Sequence, residues 1–221
     1  MTKLAIFDCD GTLVDSGATI HRALSETFGR HGLEIPPARE SRKVIGLSLT
    51  QAMAALLPDA AEADHAELAE TYKGCFHQAR RNGLVEEPLF DGILELLDSF
   101  ETEGWLLAVA TGKSDRGLRL CLESHGLHPR FLSLQTADRH PSKPSPSMAL
   151  AAMADAGATP AKTVVIGDTS YDMGMAVAAG AAGIGAGWGY HDEAELIAAG
   201  AVAVANVPAE VMAIAREAVN G

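Results

Sequence analysis

Four aspartates in two close pairs are the residues of this chain most suited to chemistry. Asp8 and Asp10 follow the first apolar run of the chain, and Asp168 and Asp172 follow a later one. Two carboxylates this close repel each other unless a cation or a shared proton offsets their charge. Mg²⁺, a hard dication that prefers oxygen ligands, meets that need. Either segment alone also fits an ordinary Asp-rich turn, but the two together predict a metal site.

Groups that could bind an anion lie between the two acidic pairs. Thr111 and Gly112 open the segment Thr-Gly-Lys-Ser, just before the N-terminus of a predicted helix, which favours anions. This segment is not a P-loop, because the position of the earlier glycine is Leu107. Lys143 lies in a proline-rich loop. It could be a solvated surface lysine, but beside these acids we interpret it as a fixed counter-charge.

The elements that must position these residues are predicted strands of a parallel sheet. Short apolar runs that end abruptly in polar residues are typical of strands buried on both faces. Amphipathic helical patterns separate them, one of which begins near a predicted N-cap at Asp91. This alternation predicts a parallel α/β sheet with right-handed crossovers. The runs span 4–7, 106–110, 163–166 and 182–186, with weaker candidates at 132–136 and 202–205.

The stretch from Ser16 to about Gly83 breaks this alternation. It contains no convincing strand, and its apolar residues form three helical stripes. We interpret it as a helical insert that covers the carboxyl edge of the sheet, where α/β proteins bind ligands. The alternative is a helical layer with no gating role.

Composition and charge limit the remaining classes of function. The 221 residues suit one large domain, or a core with a smaller inserted domain. A net charge of −12 repels nucleic acid and anionic membranes, so we expect neither as a partner. The chain shows no signal peptide and no apolar stretch long enough for a membrane helix, so we expect a cytoplasmic protein.

The three cysteines of the chain do not suggest a disulfide framework or a zinc site. Cys9, Cys75 and Cys121 are odd in number and widely spaced, and they form no CxxC pair. Cys9 lies between two aspartates, but strand alternation turns its side chain away from theirs. We therefore interpret Cys9 as a packing residue.

The motifs together resemble the haloacid dehalogenase-like hydrolase superfamily. The segments DCDGTLVDS at 8–16, Thr111 with its loop, Lys143-Pro144 and GDTSYD at 167–172 stand in the order of that superfamily's four motifs. The insert and the segment 187–191 are similar to the phosphoglycolate-phosphatase-like branch. The resemblance implies a three-layer α/β/α Rossmann-like core with a parallel sheet and a small α-helical cap domain after the first strand. The implied core spans 1–15 and 84–221, and the implied cap spans 16–83.

The resemblance also implies a role for each matching acidic residue. Asp8 would attack phosphorus and form an aspartyl-phosphate. Asp10 would protonate the leaving oxygen and then deprotonate the hydrolytic water. Asp8, the backbone carbonyl of Asp10 and Asp168 would hold Mg²⁺. Asp172 would support the metal site, and Thr12 would orient Asp10 or the loop.

The same resemblance implies that other residues bind the anion and select the substrate. Thr111, Gly112 and Lys143 would bind the oxygens of the transferred phosphoryl group. Basic residues near the insert could select the substrate, or could be solvated surface charges. They are Arg42, Lys43 and Lys113.

The function implied is a Mg²⁺-dependent phosphatase that hydrolyses small phosphorylated metabolites, phosphoglycolate-like or sugar phosphates. The alternative is a phosphomutase of the beta-phosphoglucomutase type, which would use the same two aspartates, and the sequence does not separate the two. A dehalogenase is disfavoured by Asp10, and a receiver-like signalling module by Asp10 and the large insert. We expect a monomer or a weak homodimer.

Overall fold

Six parallel strands form the centre of the molecule. A computed structural model describes residues 2–220. The strand order is β3-β2-β1-β4-β5-β6, so the first strand lies in the middle of the sheet. All four predicted apolar runs and both weaker candidates lie on strands. These strands are β1 Lys3–Phe7, β2 Trp105–Thr111, β3 Ser133–Thr136, β4 Thr163–Gly167, β5 Ala182–Ala186 and β6 Ala201–Ala205.

Ten α-helices surround this sheet within the described residues. Five of them follow β1 and precede β2, and the first four form the helical insert: α1 Gly17–Arg30, α2 Ala38–Lys43, α3 Leu49–Leu56 and α4 Glu62–Arg81. The other six belong to the core: α5 Ile93–Thr102, α6 Asp115–Ser124, α7 Ser147–Ala156, α8 Ser170–Ala179, α9 Glu193–Ala198 and α10 Pro208–Asn220.

Apolar side chains cover both faces of the sheet, as the continuous apolar runs predict. Ala5 and Phe7 of β1 point into a cluster with α5, α6 and α10. Leu4 and Ile6 point the opposite way, into a cluster with α7 and α8. Alternate side chains of one strand therefore serve two separate helical layers. The three-layer α/β/α fold predicted from the sequence is confirmed.

The start of α5 differs from the predicted N-cap. The N-cap position belongs to Gly92 rather than Asp91, and no side chain caps this helix. Gly92 has a φ of 87°, in the left-handed region that glycine enters without strain. The chain enters α5 through this glycine, so the Asp91 carboxylate is not the capping group.

The helical insert has an apolar cluster of its own. Leu24 and Phe28 of α1 pack with Met53 of α3 and with Leu68 and Tyr72 of α4. The sequence pattern indicates α1, α3 and α4 but not α2. That short helix has no apolar stripe, and a hydrogen bond between the side chains of His21 and Ser41 (3.0 Å) ties it to α1.

None of the helices described within residues 2–220 combines the length and the apolar character that crossing a bilayer requires.

Candidate active site

The carboxyl edge of the sheet brings the two acidic segments together. Asp8 follows β1 and Asp168 follows β4, and these two strands pair in parallel with Phe7 opposite Ile166. The backbone N–H of Asp8 continues the ladder by donating to the Ile166 carbonyl at 2.9 Å. Thr111 ends β2, on the other side of β1. Parallel pairing of the three central strands therefore places these residues side by side.

Three carboxylates form a buried cluster at this edge. One oxygen each from Asp8, Asp168 and Asp172 lies within 4.8 Å of the others, and all three residues are at most 1% exposed. Asp8 Oδ2 is buried and has no hydrogen-bond partner among the described residues. Burial, with Asp172 and Asp10 adding to it and Lys143 opposing, raises the pKa of Asp8 to about 7. Burial and the neighbouring carboxylates of Asp172 and Asp8 also raise the pKa of Asp168.

A buried lysine supplies part of the compensating charge. Lys143 Nζ lies 2.6 Å from Asp172 Oδ1 and 3.0 Å from Asp8 Oδ1, and its side chain is fully buried. Although burial opposes its charge, the carboxylates of Asp172 and Asp8 raise the pKa of Lys143 above its usual value. One ammonium against three carboxylates leaves an excess of negative charge. The residues present therefore fit a divalent cation with oxygen ligands.

Hydrogen bonds and two glycines fix the position of Asp168. The hydroxyl of Thr12 donates to Asp168 Oδ1 at 2.9 Å, and the backbone N–H of Tyr190 donates to Oδ2 at 3.0 Å. A Cβ on Gly11 or on Gly189 would lie 2.1 Å from an Asp168 side-chain atom, so both positions must be glycine. The sequence prediction had Thr12 orienting Asp10 or the loop, whereas its hydroxyl holds Asp168.

Asp172 is held by the first turn of α8 as well as by Lys143. Its Oδ2 accepts hydrogen bonds from the Thr169 backbone N–H (3.1 Å) and hydroxyl (2.6 Å), in a capping box. Its Oδ1 is the oxygen that Lys143 contacts. Asp172 thus links the start of α8 to the acidic cluster.

The carboxylate of Asp10 faces a different set of partners. Its Oδ1 accepts from the Ser16 hydroxyl at 2.6 Å and from Lys113 Nζ at 2.6 Å. Lys113 also contacts Glu87 Oε1 at 2.9 Å, and Glu87 Oε2 contacts Arg80 of α4 at 2.8 Å. Burial opposes the charge of Lys113, but Asp10 and Glu87 together raise its pKa.

The network of polar contacts around Asp10 contains two residues that the sequence analysis did not predict as functional. Ser16 and Glu87 lie where the chain leaves the core for the insert and where it returns. The two crossings run side by side, since the Asp15 backbone N–H donates to the Pro88 carbonyl at 2.8 Å. Ser16 ends the first acidic motif but the resemblance implies no role for it, and Glu87 lies in no motif, so only the fold reveals their contacts with Asp10 and Lys113.

The loop after β2 touches the insert directly. Thr111 is 1% exposed, and its hydroxyl accepts from the Lys113 backbone N–H at 3.2 Å. A Cβ on Gly112 would lie 2.4 Å from the Leu47 carbonyl oxygen and 2.7 Å from that of Gly46. The glycine therefore allows the insert to approach the residues predicted to bind phosphate.

Two of the three basic candidates for substrate selection lie outside the cluster. Arg42 and Lys43 are exposed on α2, and Lys43 Nζ pairs with Glu40 at 3.1 Å. The structure brings Lys113 to the site but not these two side chains. Cys9 is fully buried, and its pKa is raised by the hydrogen bond with Cys121 and by burial, as expected of a packing residue.

Comparisons with known proteins show which family this chain is similar to. Residues 5–186 match the family model of the haloacid dehalogenase-like hydrolases. The probable phosphatase IndB of Dickeya dadantii is 36% identical over 220 residues, 97% of this chain and 94% of that protein. The tyrosine-protein kinase PtkA of Mycobacterium tuberculosis is 33% identical over 190 residues, 85% of this chain and 63% of that protein. The phosphoglycolate phosphatase of Agrobacterium fabrum is 30% identical over 197 residues, 87% of this chain and 83% of that protein.

A solved structure extends the likeness to the whole fold. The crystal structure of a hydrolase from Pseudomonas syringae superposes with a TM-score of 0.85 at 25% identity, covering 98% of this chain and 99% of that one. The family match covers most of the chain and includes both acidic segments. The chain therefore belongs to the haloacid dehalogenase-like hydrolase family, in its phosphoglycolate phosphatase-like branch, and is an enzyme of the phosphatase class.

Proposed function

We propose that this phosphatase is Mg²⁺-dependent and hydrolyses small phosphorylated metabolites through an aspartyl-phosphate on Asp8. The proposal rests on the different contacts of the two carboxylate oxygens of Asp8. Lys143 and the Cys9 backbone N–H (2.7 Å) hold Oδ1, while Oδ2 is buried without a partner among the described residues. An oxygen in that state can accept a cation or approach a phosphorus atom.

The metal site would use the acidic cluster. Asp8, Asp168 and the backbone carbonyl of Asp10 would hold Mg²⁺, and Asp172 would support the site through Lys143. The bound ion would neutralise charge on the phosphoryl oxygens. Thr12 and Tyr190 keep the Asp168 carboxylate in place for this purpose.

The chain's own residues would carry the two proton transfers and the covalent step. An Asp8 oxygen forms a bond to phosphorus as the ester bond breaks, and Asp10 gives a proton to the departing oxygen. Asp10 then takes a proton from the water that attacks the aspartyl-phosphate, which releases phosphate and restores Asp8. Lys143, Thr111 and the N–H of Gly112 would hold the transferred oxygens.

The helical insert, residues 16–83, would act as a cap domain over a core of 1–15 and 84–221. Its separate apolar cluster and the close contact between Leu47 and Gly112 support this division. The chain passes between the two proposed domains at 15–16 and 83–84, and beside these crossings an antiparallel β-bridge pairs Val14 with Leu89 of the core. Phosphoglycolate-like compounds and sugar phosphates are the substrates proposed for this arrangement.

The test measures phosphate release from a panel of phosphorylated metabolites, with Mg²⁺ and with EDTA, for the native enzyme and Asp8→Asn. We expect release that requires both Mg²⁺ and Asp8. Reduction with borohydride during turnover should convert the Asp8 side chain to homoserine, detected by mass spectrometry. Full activity of Asp8→Asn would refute the covalent mechanism, and an isomer formed from a hexose 1-phosphate without free phosphate would identify a mutase.

A further inference from the structure

A cavity of about 110 Å³ lies between the helical insert and the core, next to Asp10. Asp10, Gly112 and Lys113 line it on the core side, so it is continuous with the candidate active site. Asp10 is the residue proposed to protonate the leaving oxygen. A leaving group would therefore depart toward this cavity, and the cavity walls would contact it.

The remaining walls are mainly apolar and come from four helices and one loop. Insert helices α1, α3 and α4 contribute most of them, the loop before α3 adds more, and α6 completes the lining. Representative residues are Leu24, Val44, Met53, Tyr72, Phe76 and Leu120. Two of these, Tyr72 and Phe76, stack at an angle with ring centroids 5.9 Å apart. A hydrated or charged leaving group would lose its water here without equivalent polar partners.

Most cations that line the cavity already have carboxylate partners. Lys113 contacts Asp10 and Glu87, Arg80 contacts Glu87, and Lys73 contacts Glu70 at 2.6 Å. A second acidic group on the substrate would have to compete with these pairs.

Arg116 of α6 is the exception among the lysines and arginines of the lining. It has no carboxylate partner in the described part of the chain, but the residue is exposed to water. An ion pair with an exposed arginine contributes little. The charges around the cavity thus do not favour a substrate with a second acidic group.

We propose that this cavity receives an uncharged apolar group on the alcohol side of the substrate, an inference that rests on the proposed phosphatase function. The preferred substrates are phosphate monoesters of uncharged alcohols, and the cavity selects against a carboxylate next to the ester. An apolar cavity of about 150 Å³ can hold benzene, so the smaller volume here suits about four or five non-hydrogen atoms. The carboxylate of phosphoglycolate and the hydroxyl groups of a sugar would both lose water in this cavity, so apolar alcohols are preferred over both substrate classes named above.

The test compares kcat/KM for n-alkyl phosphates from ethyl to octyl, beside 2-phosphoglycolate, in the presence of Mg²⁺. Alkyl alcohols have nearly equal acidity as leaving groups, so differences report binding of the chain. We expect kcat/KM to rise about fourfold per methylene group up to butyl or pentyl phosphate and then to level off. Pentyl phosphate should exceed 2-phosphoglycolate by at least about tenfold.

Matched variants test whether the dependence of kcat/KM on alkyl chain length arises from the cavity lining. Leu120→Ala and Phe76→Ala change half-buried lining residues, whereas Leu150→Ala removes an exposed leucine on α7, outside the lining. The two lining variants should lower the ratio of pentyl to ethyl activity about fivefold or more, and Leu150→Ala should leave it unchanged. Because the ratio is taken within one variant, partial loss of folded protein does not affect it.

The outcomes separate this inference from the proposed function. Hydrolysis that needs Mg²⁺ and Asp8 but does not depend on chain length would overturn the inference alone. Preference for 2-phosphoglycolate that is lost in Arg116→Gln would overturn it as well, and would assign a carboxylate site to Arg116. No hydrolysis of any ester would overturn the inference together with the phosphatase mechanism.

Discussion

Lys143 contributes to the site through its burial as much as through its charge. Its ammonium group lies within 3.0 Å of two carboxylates, and its side chain is fully buried. Removing one partner of a buried ion pair leaves the other charges without compensation, which costs about 3–5 kcal/mol. Lys143→Met should therefore lower the free energy of unfolding by about 3 kcal/mol and reduce phosphate release by at least about a hundredfold. Urea unfolding in EDTA and initial rates in Mg²⁺ measure the two effects.

Lys43 provides the matched control for this prediction. It is an exposed lysine whose ion pair with Glu40 lies on the surface of α2. An exposed pair contributes about 1 kcal/mol or less, so Lys43→Met should change stability and activity little. Equal losses of stability and activity in Lys143→Met and Lys43→Met would show that the burial of Lys143 does not increase its contribution.

The residues of the site that the sequence predicts are those fixed by topology. Asp8, Asp168 and Thr111 each stand at the end of a buried strand, and parallel pairing brings strand ends to one edge whatever the details of packing. The ion pairs beside Asp10 are different, because Glu87, the second carboxylate partner of Lys113, reaches the site only through the fold of the returning chain. No local pattern encodes that path.

At the scale of elements, the sequence predicts the strands, because they are buried on both faces, but it does not predict the connections between elements. The core strands form apolar runs because helices cover both faces, and that signal is local. The entry to α5 depends on Gly92, which lies against Pro208 at the start of a distant helix. The helix α2 is likewise held by its contact with α1 rather than by its own pattern. Both features depend on tertiary contacts.

The segment in which the chain returns from the insert to the core contains Glu87, whose substitution gives a second prediction. Glu87 is 8% exposed and joins Lys113 of the core to Arg80 of the insert. Glu87 accepts a hydrogen bond from Arg80 at 2.8 Å and pairs electrostatically with Lys113. A hydrogen bond between charged groups contributes about 1.5–3 kcal/mol, so Glu87→Gln should destabilise the protein by that order. Because Lys113 would then be held by Asp10 alone, kcat should fall about tenfold, measured as phosphate release under saturating substrate.

Glu86 gives the comparison that isolates this effect. It is the preceding residue in the chain, carries the same charge and is exposed. Glu86→Gln should leave both the free energy of unfolding and kcat unchanged. If Glu87→Gln behaved like Glu86→Gln, the ion-pair chain between insert and core would have no role in turnover.

At the scale of the whole molecule, the enzyme depends on how closely the insert approaches the core. One close approach is at Gly112, where an added Cβ would lie 2.4 Å from the Leu47 carbonyl oxygen. Both groups in that contact are backbone, so Gly112→Ala can be accommodated only if the insert and the loop move apart. A displacement of about 1 Å can cost about a hundredfold in rate, and we expect a loss of that order in kcat/KM.

Gly74→Ala tests whether the loss comes from position rather than from the added methyl group. Gly74 lies inside α4, and a Cβ there would meet nothing within 4 Å. Alanine in a helix interior is more stable than glycine by up to about 1 kcal/mol, so this variant should keep full activity and unfold at higher urea concentration. Hydrogen exchange at residues 44–48 should increase in Gly112→Ala and remain unchanged in Gly74→Ala. Wild-type activity in Gly112→Ala would mean that contact between insert and core is not required for turnover.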